Sequence, residues 1–142
     1  MAFLSNQLFI RRSSIPSGGK GLFTRKMIRK GTRIIEYKGK LTSWKEVNHR
    51  NGTNGYIYFI NRNYVLDAFT YIKSLGRYAN DAEGVDRKKG LKNNAIYETA
   101  GLKVYIDATK NIPAGTEIFV GYGKEYWEVI KHNMKVSENN KK

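Results

Sequence analysis

A mostly β domain built from short strands and small helices is what this sequence predicts, on three observations. Short apolar runs alternate with Gly-, Pro-, Asn- and Ser-rich turns, two hairpin patterns are rich in aromatic and β-branched residues, and the helical signals are brief. Residues 7–11 (Gln7-Leu8-Phe9-Ile10-Arg11) and 21–25 (Gly21-Leu22-Phe23-Thr24-Arg25) read as strands across the turn-rich Ser13-Ser14-Ile15-Pro16-Ser17-Gly18-Gly19. Arg33 to Tyr37 is a third strand, entered from the Lys30-Gly31 turn and ended at Gly39. Ser43 with Glu46 three residues on is a capping-box pattern, which predicts a short helix running towards His49. Tyr56–Ile60 and Tyr64–Asp67 form a hairpin around Asn61-Arg62-Asn63. From Lys73 to Asn94 neither a period of two nor one of 3.6 is kept, and the segment reads as loop, the first place to look for a site. A second hairpin, Ala95–Thr99 with Leu102–Ile106, turns at Ala100-Gly101. Pro113-Ala114-Gly115 makes a turn, Glu117–Tyr122 a strand and Lys124–Asn133 a terminal helix, and residues 135–142 have the composition of a frayed tail.

At 142 residues the chain is the size of one domain, 1–134 with a basic tail at 135–142. A chain of that length buries roughly 68–70% of its unfolded surface, which supports one core and excludes a two-domain enzyme. Cysteine is absent, removing disulfides, thiolate nucleophiles and Cys-ligated metal centres. His49 and His132 are the only histidines, too few and too far apart for a multi-histidine metal site or a Ser-His triad. Chemistry must therefore come from Tyr, Asn, the backbone and a bound cofactor. Neither a signal peptide nor a membrane span is legible, which predicts an intracellular protein with no membrane partner. Against 12 acidic residues stand 26 Lys and Arg, a net charge of +14. Such a charge either serves solubility or draws polyanions such as nucleic acid or a nucleosome.

Several residues could carry chemistry. Gly19-Lys20-Gly21 lacks the Walker spacing, yet glycines at a strand entrance let a ligand approach the main chain of Lys20, Gly21 and Leu22; a plain turn is the alternative. Of the 10 tyrosines, Tyr37, Tyr56, Tyr78, Tyr97, Tyr122 and Tyr126 could either pack with satisfied hydroxyls or line a narrow channel suited to an alkylammonium. Asn80 lies in the long loop, where its carboxamide could read a polar ligand or close an Asx turn.

Taken in order, these pieces resemble the SET domain of protein lysine methyltransferases from about Leu8 to Trp127. Gly19-Lys20-Gly21-Leu22-Phe23 matches the family's G-x-G entrance and Glu36-Tyr37-Lys38-Gly39 its Y-x-G. Tyr56-Ile57-Tyr58-Phe59-Ile60 with Val65-Leu66-Asp67-Ala68 matches Y-x-F…V-I-D-A, and Arg77-Tyr78-Ala79-Asn80-Asp81-Ala82 matches R-F-I-N-H-S. Asn94-Ala95 and the run Ile112 to Gly123 match P-N-A and I-x-x-G-E-E-L-x-x-x-Y-G. The small size is similar to that of the short free-standing members in bacteria and large viruses.

The resemblance implies a β-clip-like fold with a knot-like crossing of the Asn80 and Tyr122 segments. It further implies S-adenosylmethionine as methyl donor, S-adenosylhomocysteine as product, no metal, and a protein lysine as acceptor, on a histone or another nucleic-acid-associated protein. Lys20, Gly21 and Leu22 would hold the donor's methionine part, and Arg77, Asn80 and the Asp81 backbone its amino-acid and adenine ends, with Trp127 packed on the adenine. Tyr122 would be the catalytic tyrosine, Tyr56 a channel wall and Tyr97 the hydroxyl limiting the number of methyl groups. Val120 two residues before Tyr122 inclines the product towards monomethyl-lysine. An acceptor amine with a free pKa of about 10.4 must shed its proton, which a neighbouring sulfonium and desolvation both favour. Asp81 and Ala82 depart from the family's His-Ser, putting donor affinity in question and raising an inactive module that binds peptide or nucleic acid as the alternative. A small basic β-barrel nucleic-acid binder is the other rival. Asp81, Glu83, Asp86, Glu125 and Glu128 could form an acidic patch offsetting the basic surface. A homodimer, as in a resembling viral class, is plausible, and the compartment is a eukaryotic nucleus or a bacterial cytoplasm.

Overall fold

The computed structural model describes residues 3–16, 19–83 and 90–122. The expected helix Lys124–Asn133, Tyr126, Trp127, the tail and the acidic residues Asp86, Glu125 and Glu128 lie outside the described residues. Among those described, nine short strands form three three-stranded antiparallel sheets. In the first, β1 (Leu8–Arg12) pairs with β2 (Lys20–Thr24), which pairs on its other edge with β9 (Glu117–Ile118). In the second, β8 (Lys103–Ala108) lies between β3 (Arg33–Tyr37) and β7 (Ala95–Ala100). In the third, β6 (Tyr64–Asp67) lies between β4 (Lys40–Thr42) and β5 (Ile57–Asn61).

The alternation that predicts the strands is the alternation that buries them. In β8, Val104, Ile106 and Ala108 are buried while Lys103, Tyr105 and Asp107 turn outward, the period of two of a strand with one face on a core. A register shift between Arg33 and Ile35 bulges β3 against β8, so the consecutive Ile34 and Ile35 are both buried. The β7–β8 hairpin turns at Gly101, whose φ of +63° is costly for residues with a Cβ. The main core gathers Leu8, Leu22, Ile28, Ile34, Ile106, Ile112, Ile118 and Val120 between the first two sheets. Each such side chain contributes about 1.5–3 kcal/mol on burial. A smaller core of Tyr37, Leu66, Ala68 and Val104 joins the second sheet to the third.

Three expectations are corrected. The helix from Ser43 is a single capped turn: the Ser43 hydroxyl accepts the Glu46 N–H at 3.2 Å and its carbonyl the Val47 N–H at 2.9 Å. The segment then meets poor helix formers, and Arg50 and Asn51 take left-handed φ angles of 49° and 57°, which end any right-handed helix. The strand expected over Glu117–Tyr122 is regular only at Glu117–Ile118, after which Phe119 and Val120 make single parallel bridges to Asn80 and Ala95. The loop from Lys73 contains a 3₁₀ turn, Leu75–Tyr78, docked where a Cβ on Gly76 would stand 2.9 Å from the Glu36 carbonyl.

Candidate active site

Two segments 40 residues apart in sequence build the site. Beyond the 3₁₀ turn the chain runs extended through Ala79 and Asn80, and the 117–122 segment lies beside it. The Val120 N–H donates to the Asn80 carbonyl at 2.8 Å. On its other side this segment is held by Asn94: Asn94 Nδ2 donates to the Glu117 carbonyl (3.0 Å), and Asn94 Oδ1 accepts the Phe119 N–H (2.8 Å). One carboxamide thus takes the place of a peptide group in a ladder that the short β9 leaves incomplete.

Asp81 ties the two segments together. Its Oδ2 accepts the Tyr122 N–H at 2.9 Å, and its Oδ1 accepts Asn93 Nδ2 and the Glu83 N–H, each at 2.9 Å. Asn93 Oδ1 in turn accepts the Ala82 N–H at 2.8 Å. Asp81 is buried and Ala82 wholly so. The Tyr122 phenol donates to the Ala79 carbonyl at 2.6 Å, so it stands one residue from Asn80. Asn80 Nδ2 donates to the Lys20 carbonyl at 3.0 Å, placing its carboxamide against the mouth of β2. There Gly21 is packed so closely that a Cβ would stand 2.3 Å from Glu117 Oε2. That buried carboxylate is engaged by the Ser13 hydroxyl (2.6 Å) and the Ser14 N–H (2.8 Å). The sequence-selected Lys20, Gly21, Asn80, Asp81 and Tyr122 are therefore neighbours, while Leu22 turns its fully buried side chain into the core.

A narrow cleft open to solvent is lined by Tyr37, Tyr56, Tyr58, Tyr97 and Tyr122 with Arg77. The Tyr97 ring stacks on Tyr122, with centroids 6.3 Å apart and planes at 23°, and meets Tyr37 and Tyr58 edge-on. The Tyr37 hydroxyl donates to the Tyr56 carbonyl at 2.7 Å, fixing one wall. Arg77 belongs to this cavity. Its guanidinium carbon lies 3.9 Å from the Tyr56 ring centroid, and Nη1 donates to the carbonyls of Ala68 (3.1 Å) and Phe69 (2.6 Å). Tyr78 does not line it; its hydroxyl donates to the Ile72 carbonyl. Sequence reasoning misses Tyr58, although its place two residues after Tyr56 puts both side chains on one strand face. It misses Asn93 because nothing local marks that residue.

The Tyr56 ring carries the Arg77 guanidinium, and the other four rings around the slit suit a cation on an aliphatic stem. The exposed β2 mouth beside Asn80 offers main-chain groups and a carboxamide to a polar ligand. Among the described residues no group of three or more His, Cys, Asp or Glu is placed to hold a metal, and no helix is long and apolar enough to cross a membrane.

Comparison with known proteins matches this arrangement. The family model described as the SET domain aligns with residues 19–123. The chain is 28% identical over 132 residues to histone-lysine N-methyltransferase EZH2 of Chaetomium thermophilum. That match takes in 84% of this chain and only 8% of the relative's length. Among solved structures, the methyltransferase domain of human PR domain-containing protein 2 superposes with a TM-score of 0.61 at 22% identity, over 81% of this chain and 76% of that one. A humanized mutant of the Chaetomium thermophilum Polycomb Repressive Complex 2, bound to the inhibitor GSK126, gives a TM-score of 0.68 at 25% identity, over 87% of this chain and 16% of that one. The aligned span runs from the glycine entrance of β2 to the residue after Tyr122 and so takes in both halves of the site, from which it follows that the chain belongs to the SET domain family.

Proposed function

We propose that this chain is a protein-lysine N-methyltransferase that uses S-adenosylmethionine and acts on a histone or another nucleic-acid-associated protein. One observation supports the reading: Tyr122 lines a tyrosine-rich slit while its phenol donates to the carbonyl of Ala79, the residue before Asn80, whose carboxamide meets Lys20 at the mouth of β2. A donor and an acceptor arriving from opposite sides would meet there. The residues fit the donor, because the Asn80 carboxamide lies against the exposed main chain of Lys20 at 3.0 Å, where polar groups of both can meet an amino-acid end. Lys20, Gly21 and the Asn80 carboxamide would hold its amino-acid part, with the Asp81 backbone and Trp127 towards the adenine. When bound, S-adenosylmethionine supplies a methyl group on a sulfonium and leaves as S-adenosylhomocysteine.

The chain's own part is positioning. Tyr58, Tyr37 and Tyr97 exclude water from the acceptor's aliphatic stem and offer ring faces to its cation, and Tyr56, whose ring carries the Arg77 guanidinium, is a further wall of the channel. Arg77 forms part of the slit's wall. Tyr122, locked at its N–H by Asp81 and at its phenol by Ala79, orients the amine; fixing reactants in line can supply about 7–11 kcal/mol of a barrier. Tyr97, stacked on Tyr122, would limit how many methyl groups the amine can carry, with monomethylation favoured. A knot-like crossing of the Asn80 and Tyr122 segments belongs to the same reading and is supported by their bridge. The inactive alternative rests on Asp81 and Ala82. Against it, the Asp81 carboxylate makes three contacts that hold Tyr122 and the neighbouring loops.

Radiolabelled methyl transfer to histones and ribosomal proteins tests the proposal. Wild type should label a lysine and Tyr122→Phe should lower the rate by about 10²-fold or more. Equal background from both, with donor binding demonstrated by calorimetry, would overturn it in favour of the inactive module.

A further inference from the structure

The first sheet turns a second face away from the core. In β1 and β2, Leu8, Leu22 and Thr24 turn to the core, while Phe9, Arg11 and Phe23 share the opposite face, with Phe9 paired to Phe23 across the strands. The two rings stack at 5.5 Å with planes at 24°. The Arg11 guanidinium carbon lies 4.4 Å from the Phe23 centroid and 5.8 Å from that of Phe9, and the Arg25 guanidinium carbon lies 4.5 Å from the Phe9 centroid. Two exposed arginines thus bracket a pair of stacked rings. Ring stacking fixes the planes of the guanidinium forks and lowers the entropy cost of using their donors. Neither forms an ion pair among the described residues, where Arg33–Asp107 is the salt bridge seen. Glu117, paired with Phe23 on β9, is buried and taken up by Ser13 and Ser14. Lys26 and Arg29, also exposed, follow Arg25 in the chain.

We infer that this face is a phosphate clamp for the backbone of nucleic acid. Planar forks match pairs of phosphate oxygens. Phe23 is 2% exposed, and the half-buried Phe9 ring is engaged by Phe23 and by the Arg25 guanidinium, so the face grips through its arginines without reading sequence. A net charge of +14 spread over the whole chain is met by a partner whose charge repeats over a comparable length, which a nucleic-acid strand provides.

The test measures binding of the full chain to fluorescein-labelled 20-nucleotide single-stranded and 20-base-pair DNA by anisotropy across a salt series. Neither methyl donor nor acceptor is present, so the outcome is separate from methyl transfer. Losing two phosphate contacts in Arg11→Gln/Arg25→Gln should reduce the slope of log K against log salt by about 1.4 on single strands and about 1.8 on duplex. Lys45→Gln/Lys103→Gln, which removes equal charge from exposed positions elsewhere, should change it by less than half as much. Phe9→Leu keeps the charge but removes the platform, and should weaken binding severalfold. Equal effects from the two double variants would overturn the clamp, as would wild-type binding by Phe9→Leu. Displacement of DNA by polyglutamate at matched charge concentration would overturn the nucleic-acid assignment in favour of an acidic protein.

Discussion

Asp81 shows what a single side chain contributes in this fold. It stands where the family pattern has histidine, yet its two oxygens accept from three donors on three segments: Tyr122, Asn93 and Glu83. Removing it leaves those donors without this acceptor in a buried place, and a charged hydrogen bond contributes about 1.5–3 kcal/mol. Asp81→Ala should therefore lower the unfolding free energy by about that amount in urea titration. It should also lower kcat for methyl transfer more than it raises KM for the acceptor, because the Tyr122 backbone loses its anchor while the tyrosine walls stay. Asp81→Asn, which keeps one carbonyl acceptor, should recover part of both. Unchanged stability and rate in Asp81→Ala would mean that the carboxylate is dispensable. None of this is visible in the sequence, where Asp81 reads as the loss of an imidazole. Its partners Asn93 and Tyr122 lie 12 and 41 positions away, and only the fold brings them into reach.

At the scale of elements, legibility follows locality. The β5–β6 and β7–β8 hairpins are readable because alternation and turn residues are both local signals. The helix from Ser43 is overread because a capping pattern reports only the first turn, while Arg50 and Asn51 decide the next. The pairing of β2 with β9 joins Leu22 to Ile118 across two thirds of the chain, and its consequence at Gly21 has no local signal. With a Cβ there 2.3 Å from Glu117 Oε2 and 3.2 Å from Ser13 Cα, Gly21→Ala should cost about 1–3 kcal/mol, seen as a lower denaturation midpoint with an unchanged m-value. Tyr97 on β7 faces the slit because β7 pairs with β8, where Ile106 opposite it is core. If its hydroxyl limits methylation, Tyr97→Phe should raise the share of dimethyl- over monomethyl-lysine in mass spectra without abolishing transfer. An unchanged product ratio would remove Tyr97 from that role.

For the molecule as a whole, the proposed donor site is made by joining parts, and joining has a thermodynamic signature. Lys20 belongs to the first sheet, Asn80 follows the 3₁₀ turn docked on β3, and Tyr122 ends the segment that bridges both. Unfolding separates all three, so a ligand that contacts them together binds the native chain and not the unfolded one. Its stabilisation is then RT ln(1 + [L]/Kd), about 2.7 kcal/mol at one hundred times Kd. For a chain near 150 residues, with about 2–4 °C per kcal/mol, S-adenosylhomocysteine at that excess should raise Tm by about 5–11 °C. Adenosine alone, lacking the amino-acid end that Lys20 and Asn80 would hold, should give much less at the same concentration. Asn80→Ala should abolish most of the shift while leaving the unliganded Tm within a few degrees, because its Nδ2 contact to Lys20 is partly exposed. A shift of the same size in Asn80→Ala would mean that the ligand binds away from the junction, and the opposite-sides geometry proposed for donor and acceptor would fail with it.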